Sequence, residues 1–140
     1  LQRELRNIMW ENCGVVRDDT KLKDGLKKIT SLKNLLNDLD VRPDSEGYED
    51  LMLAFDLEGS IMSAEATFLG AIKRKESRGA HQRNDLTETN DKFAQNFIIE
   101  LDDSNNLTIS SSKLKKMSTE LRNIILKTKK ITNFKGMLLE

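Results

Sequence analysis

Residues 48–77 read YEDLMLAFDLEGSIMSAEATFLGAIKRKES. Leu51, Met52, Phe55, Leu57, Ile61, Met62, Ala64, Phe68, Leu69 and Ile72 recur at helical spacing but cover more than one face. That pattern predicts a long central helix contacted from two sides. Gly59, Ser60, Ser63, Ala64, Ala66, Gly70 and Ala71 are small enough to let neighbouring backbones come close along it.

The flanking segments supply the neighbours. Leu1, Leu5, Ile8 and Met9 predict a first helix over residues 1–13, with Gly14 placed for a left-handed stop. Asp19 or Thr20 suits the cap of a second helix, whose stripe is Leu22, Leu26, Ile29, Leu32, Leu36 and Leu39 and which should end before Pro43. Residues 44–47 (DSEG) are turn chemistry. Downstream, β-prone runs in residues 93–101 and 107–109 surround an Asp/Asn cluster and predict a hairpin. Leu114, Met117, Leu121, Ile124 and Ile125 predict a last helix over residues 112–127. The fold expected is mainly α: a three-helix antiparallel bundle of spectrin-repeat type, with an appended β-hairpin and a basic C-terminal helix. The corresponding segments are 1–85, 86–112 and 113–140.

The chain has 140 residues, 37% hydrophobic and 33% charged, enough for a single core. Lys+Arg and Asp+Glu each total 23, so the net charge is zero and no whole-chain field draws nucleic acid or anionic lipid. The longest apolar run, residues 51–55, is far short of the roughly 20 residues a spanning helix needs, which speaks against membrane insertion. One cysteine, Cys13, and one histidine, His81, allow neither an intrachain disulfide nor the usual zinc ligand set, and point to a reducing, cytoplasmic setting. The start at Leu1 inside a helical pattern reads as a piece of a longer chain. None of the seven glycines is spaced G-x-G and no P-loop pattern occurs, so no cofactor cradle, catalytic set or metal site is expected in this chain.

The densest chemistry is residues 73–85, KRKESRGAHQRND: five cationic side chains and the only histidine where the central helix should stop. Basic groups suit a helix C-terminus and Gly79 suits a left-handed stop, so a cap accounts for much of this composition. Without interleaved aromatics, a nucleic-acid patch is the weaker reading. The cationic C-terminal segment, with Lys113, Lys115, Lys116, Arg122, Lys127, Lys129 and Lys130 against Glu120, reads as a solvated face.

Residues 74–85 nevertheless resemble the R-x-E-S-R-G-A-H-x-R-x-D signature of the flavoprotein subunits of succinate dehydrogenase and fumarate reductase, a family that includes L-aspartate oxidase. Met9, Trp10, Gly14, Val15, Val16 and Arg17 are similar to the run that opens that family's C-terminal domain. The likeness covers residues 1–115; Leu86, Thr87 and Glu88 depart from it where an aromatic or proline is usual. It implies the C-terminal accessory domain of an FAD-dependent oxidoreductase acting on C4 dicarboxylates, with L-aspartate oxidase as the alternative within the family. FAD and catalysis would reside in upstream domains. The flavin-binding domain of the same chain would be the partner; a further partner would be an iron–sulfur subunit, and any membrane contact would be made through partner subunits. Glu76, Ser77, Arg78, His81 and Arg83 would then face the flavin domain, with Arg78, His81 and Arg83 at least partly exposed when that domain is absent. The reading from a different class is a stand-alone helical adaptor or nucleic-acid-binding domain.

Overall fold

A computed structural model describes residues 1–42 and 48–131, with side chains to residue 126. The predicted 44–47 turn and the last residues of the tail lie outside the described residues. Helix α1 spans Gln2–Cys13, strand β1 Val16–Arg17, and helix α2 Asp19–Asn34, continued by a 3-10 turn at Leu35–Asp38. Helix α3 runs over Glu49–Lys73 and strand β2 over Gln82–Arg83. A 3-10 turn at Asp91–Phe93 leads into strands β3 (Gln95–Leu101) and β4 (Leu107–Lys113), and helix α4 spans Thr119–Ile131.

The mainly helical bundle with its hairpin is as expected. Its core is Leu5, Ile8, Cys13, Leu22, Ile29, Leu32, Leu57, Ile61, Ala64, Phe68 and Ala71. Ile61 and Phe68, seven residues apart on α3, are 1% and 0% exposed, which confirms the helical register. Gly25 of α2 sits against Phe68, while Lys33, two turns on, reaches back to Glu65 at 2.9 Å, so α2 and α3 run antiparallel. The crossing is close: a Cβ on Gly25 would stand 2.4 Å from the Phe68 ring and 2.6 Å from the Asn12 Cβ.

Several local expectations are corrected. Gly14 is extended (φ −63°, ψ −160°) rather than left-handed, because the chain leaves α1 directly into β1; a Cβ there would meet the Trp10 carbonyl oxygen at 2.9 Å. The cap of α2 is Asp18, whose carboxylate accepts from the Lys21 amide at 2.8 Å. Helix α3 ends at Lys73, four residues before the expected Ser77, as Arg74 turns extended. Gly79 does have φ +57°, but in the tight Arg78–His81 turn rather than at a helix stop. Met52 and Phe55 are exposed, since the first turns of α3 present them outward. The last helix begins at Thr119 rather than 112, because residues through Lys113 are paired with β3.

The hairpin forms as predicted, in register from Gln95–Lys113 to Leu101–Leu107. Asp102 closes its loop: its carboxylate accepts from the Ser104 and Asn106 amides, both at 2.9 Å, and Asn105 takes the left-handed conformation (φ 59°). The hairpin lies on α3 where Gly70 leaves room, 3.6 Å from the Ile99 Cδ1 to a Cβ built on that glycine. No helix of the described residues is long and apolar enough to cross a membrane.

Candidate functional site

The signature stretch folds into a loop fastened to the C-terminal end of α3, and β1 is what fixes it. Strands β1 and β2 pair in parallel, Val16 with Gln82 and Arg17 with Arg83, which joins the loop to the α1–α2 connection. The Asn84 amide donates to the Arg17 carbonyl at 2.9 Å and completes that seam.

Glu76 is the loop's centre and is fully buried. Its carboxylate accepts from Arg74 Nη1 (2.8 Å), Arg78 Nε (2.9 Å), Arg78 Nη2 (3.0 Å) and the Asn90 amide (2.9 Å). The Arg78 guanidinium, followed by the Asn90 amide and Arg74, outweighs desolvation and holds the Glu76 carboxyl down at about 2. Arg74 also donates to the Gln95 carbonyl at 3.0 Å and stacks 4.7 Å from the Phe97 ring centroid, tying the hairpin to the loop.

Ser77, also buried, joins three strands of the loop. Its hydroxyl donates to the Leu86 carbonyl (2.8 Å) and accepts from the Arg83 amide (2.8 Å), while its own carbonyl accepts from the Thr89 hydroxyl (2.7 Å). Arg83 is the clearest departure from expectation: its side chain is 1% exposed, not available at the surface. It forms a two-pronged pair with Asp85, Nε–Oδ1 2.7 Å and Nη2–Oδ2 2.5 Å, and points Nη1 at the Ala71 carbonyl near the end of α3. The pair holds the Asp85 carboxyl well below the usual carboxylate range. Asp19, pulled down to about 2 by its bonds to Lys23 and Lys75, lies behind it.

Arg78 and His81 remain half-exposed, as expected. Arg17 Nη1 donates to His81 Nδ1 at 2.9 Å, so that nitrogen carries no proton. Burial, then the Arg17 charge, pushes the His81 pKa below its ordinary value, and the ring is neutral at physiological pH. Together these groups are a fastener. Glu76 and Asp85 are ionised and occupied, and among the described residues no cluster of side chains is suited to a metal.

Reading residues 73–85 in isolation misses the participants outside it, among them the side chains of Arg17, Asp19, Thr89 and Phe97, the Asn90 amide and the carbonyls of Ala71, Leu86 and Gln95. Arg17 had a signal as the end of the 14–17 run and Asp19 only as a cap candidate; the others act through main-chain groups or at a separation of 12 residues or more.

A family described as "Fumarate reductase flavoprotein C-term" matches residues 2–132. Among relatives, a fumarate reductase (CoM/CoB) chain of Methanothermobacter marburgensis is 32% identical over 100 residues, 71% of this chain and 18% of that protein. The L-aspartate oxidase of Pyrococcus horikoshii is 33% identical over 81 residues, 58% of this chain and 13% of that protein. Among solved structures, the E. coli quinol fumarate reductase chain superposes with a TM-score of 0.73 and 26% identity, covering 82% of this chain and 20% of that one. The chain thus spans about a fifth or less of the length of the proteins it matches.

Proposed function

The chain belongs to the fumarate reductase flavoprotein C-terminal family, and from that premise we propose that it is the C-terminal accessory domain of an FAD-dependent oxidoreductase acting on a C4 dicarboxylate. The parent would be a succinate dehydrogenase or fumarate reductase flavoprotein subunit, and this domain would pack against its flavin-binding domain. The observation that carries the reading is the match over residues 2–132, which takes in the bundle, the fastened loop and the hairpin together rather than the signature alone.

The chemistry of the residues is in keeping with an accessory role. The loop arginines Arg74, Arg78 and Arg83 are engaged with Glu76, Asp85 and main-chain carbonyls, and the sequence has no glycine-rich turn to receive a pyrophosphate. These residues do not fit a flavin, which is therefore assigned to the upstream part of the parent, and no flavin step is derived through them. Trp10, Met52 and Phe55 are 83%, 59% and 73% exposed, apolar surface of the kind a covering domain would bury. Arg78 and His81 would face that domain, while Glu76, Ser77 and Arg83 hold the facing loop in shape from beneath. An iron–sulfur subunit would be a further partner, and a cytoplasmic location peripheral to a membrane follows from the same reading.

A second reading, L-aspartate oxidase, is favoured by the Pyrococcus relative and by the Met9–Trp10 and 14–17 runs. Assay of the full-length parent separates them: dye-linked oxidation of succinate, or its reverse with fumarate, supports the first, and aspartate-dependent formation of peroxide from oxygen, or of succinate from fumarate, the second. Absence of any dicarboxylate turnover by a flavin-loaded parent would defeat both.

A further inference from the structure

Three of the four guanidiniums around the signature loop have a carboxylate partner: Arg74 and Arg78 share Glu76, and Arg83 holds Asp85. Arg17 has none. It is half-buried; its Nε donates to the Gly14 carbonyl at 2.8 Å and its Nη1 to His81 Nδ1 at 2.9 Å, both neutral acceptors. Its Nη2 makes no bond within the described residues. Arg17 lines a cleft of about 620 Å³ between α3 and the β3–β4 hairpin, together with Thr67, Arg74, His81, Asn96 and Phe97, and no acidic residue lines it.

Withdrawing a guanidinium partly from water without an opposing charge is unfavourable, and the neutral imidazole beside Arg17 does not offset it. Resting on the accessory-domain reading, we propose that Arg17 receives the carboxylate of an Asp or Glu side chain from the flavin-binding part of the parent chain, docked in this cleft. The donor count sets the ligand chemistry. Thr67 already gives its hydroxyl proton to the Ser63 carbonyl at 2.8 Å, which leaves the Arg17 Nη2 edge, the exposed Asn96 amide and the His81 Nε2–H, a buried donor with no partner within the described residues. A carboxylate, with two oxygens and about four acceptor sites, can take these donors, and its plane suits the guanidinium edge. The location matches too, since His81 shares the cleft and the exposed Val15 and Val16 lead into Arg17.

The test uses the full-length parent carrying Arg17→Lys, treated with a water-soluble carbodiimide so that an amine at this position condenses with a carboxylate in contact. Peptide mapping should find residue 17 joined to an Asp or Glu lying before Leu1. Asn96→Asp, added on the same background to place a carboxylate of the chain's own in the cleft, should lower that cross-link several-fold. Hydrogen exchange of residues 78–83 in the parent and in the isolated 140-residue chain is measured alongside. Protection in the parent with no cross-link, or with cross-links only to residues 1–140, overturns the carboxylate proposal and leaves the accessory-domain reading standing. Absence of both overturns the two together. In the isolated chain, succinate and acetate at equal carboxylate concentration should perturb the Arg17 and His81 resonances alike; a saturable response to succinate alone would make the ligand a free dicarboxylate and overturn the assignment to a protein side chain.

Discussion

Replacing Glu76 by glutamine removes one negative charge from a fully buried position while keeping the shape of the side chain. Three of the four hydrogen bonds to Glu76 come from guanidiniums, and one comes from the Asn90 amide. Charge-assisted bonds are worth roughly 1.5–3 kcal/mol each. Arg74 and Arg78 keep 19% and 36% of their side-chain surface in water, so solvent takes back part of what they lose and the sum is not realised. The expected cost is about 3 kcal/mol, near the low end for breaking a buried pair. That corresponds to a fall of about 10 °C in Tm for a domain of this size.

The sign of the pH dependence follows from the depressed carboxyl. Its value is about 2 in the folded chain against 4.5 ordinarily, so its contribution is fully present above about pH 5 and is lost as pH falls toward 2. Urea denaturation of wild type and Glu76→Gln from pH 7 to 3 should therefore give stability curves that converge on the acid side. A difference below about 1 kcal/mol at pH 7, or one that does not change with pH, would refute the role given to Glu76.

The α2–α3 crossing predicts that Gly25→Ala costs about 1–3 kcal/mol through overlap with Phe68, and Phe68→Ala about 3–5 kcal/mol through the cavity left. The double variant should lose less than the sum by chemical denaturation, because truncating the ring relieves the overlap. Arg83→Ala, which strands Asp85 beside the end of α3, should destabilise the isolated chain by about 3 kcal/mol and the parent equally; Arg78→Ala takes two of the three guanidinium bonds from buried Glu76, so it should lower the isolated chain's Tm as well and, in the parent, additionally reduce flavin retention. If the cationic segment from Lys113 is only a solvated face, affinity for duplex DNA or RNA should be weak and vanish at moderate salt; sub-micromolar binding at physiological salt would contradict that.

How far the sequence could be read depended on how local the cause was. The bundle was legible because Ile61, Phe68, Leu22, Ile29 and Leu32 obey a period set by the helix itself. The hairpin was legible because the Asp102–Asn106 loop supplies its own hydrogen bonds. The end of α3 was not, since the next residues are drawn into the loop by Glu76 and Ser77, whose bonds to Leu86, Thr89 and Asn90 reach 9 to 14 residues downstream. The exposure of Met52 and Phe55 was not legible either, because periodicity registers an apolar face without saying what covers it. At the site, the signature stretch located the loop, but the burial of Arg83 depends on the Ala71 carbonyl and on Asp85, and the β1–β2 pairing depends on residues more than sixty positions apart.

Whether these residues are the accessory domain of a longer flavoprotein is decided by the visible absorption spectrum of the native polypeptide, set beside that of the isolated 140-residue chain. The native polypeptide should be several times longer and carry one flavin per chain, and the isolated chain should show no absorption in the flavin bands. A native polypeptide that purifies without flavin under conditions retaining its fold, or stoichiometric flavin on the isolated chain, would contradict the accessory-domain reading.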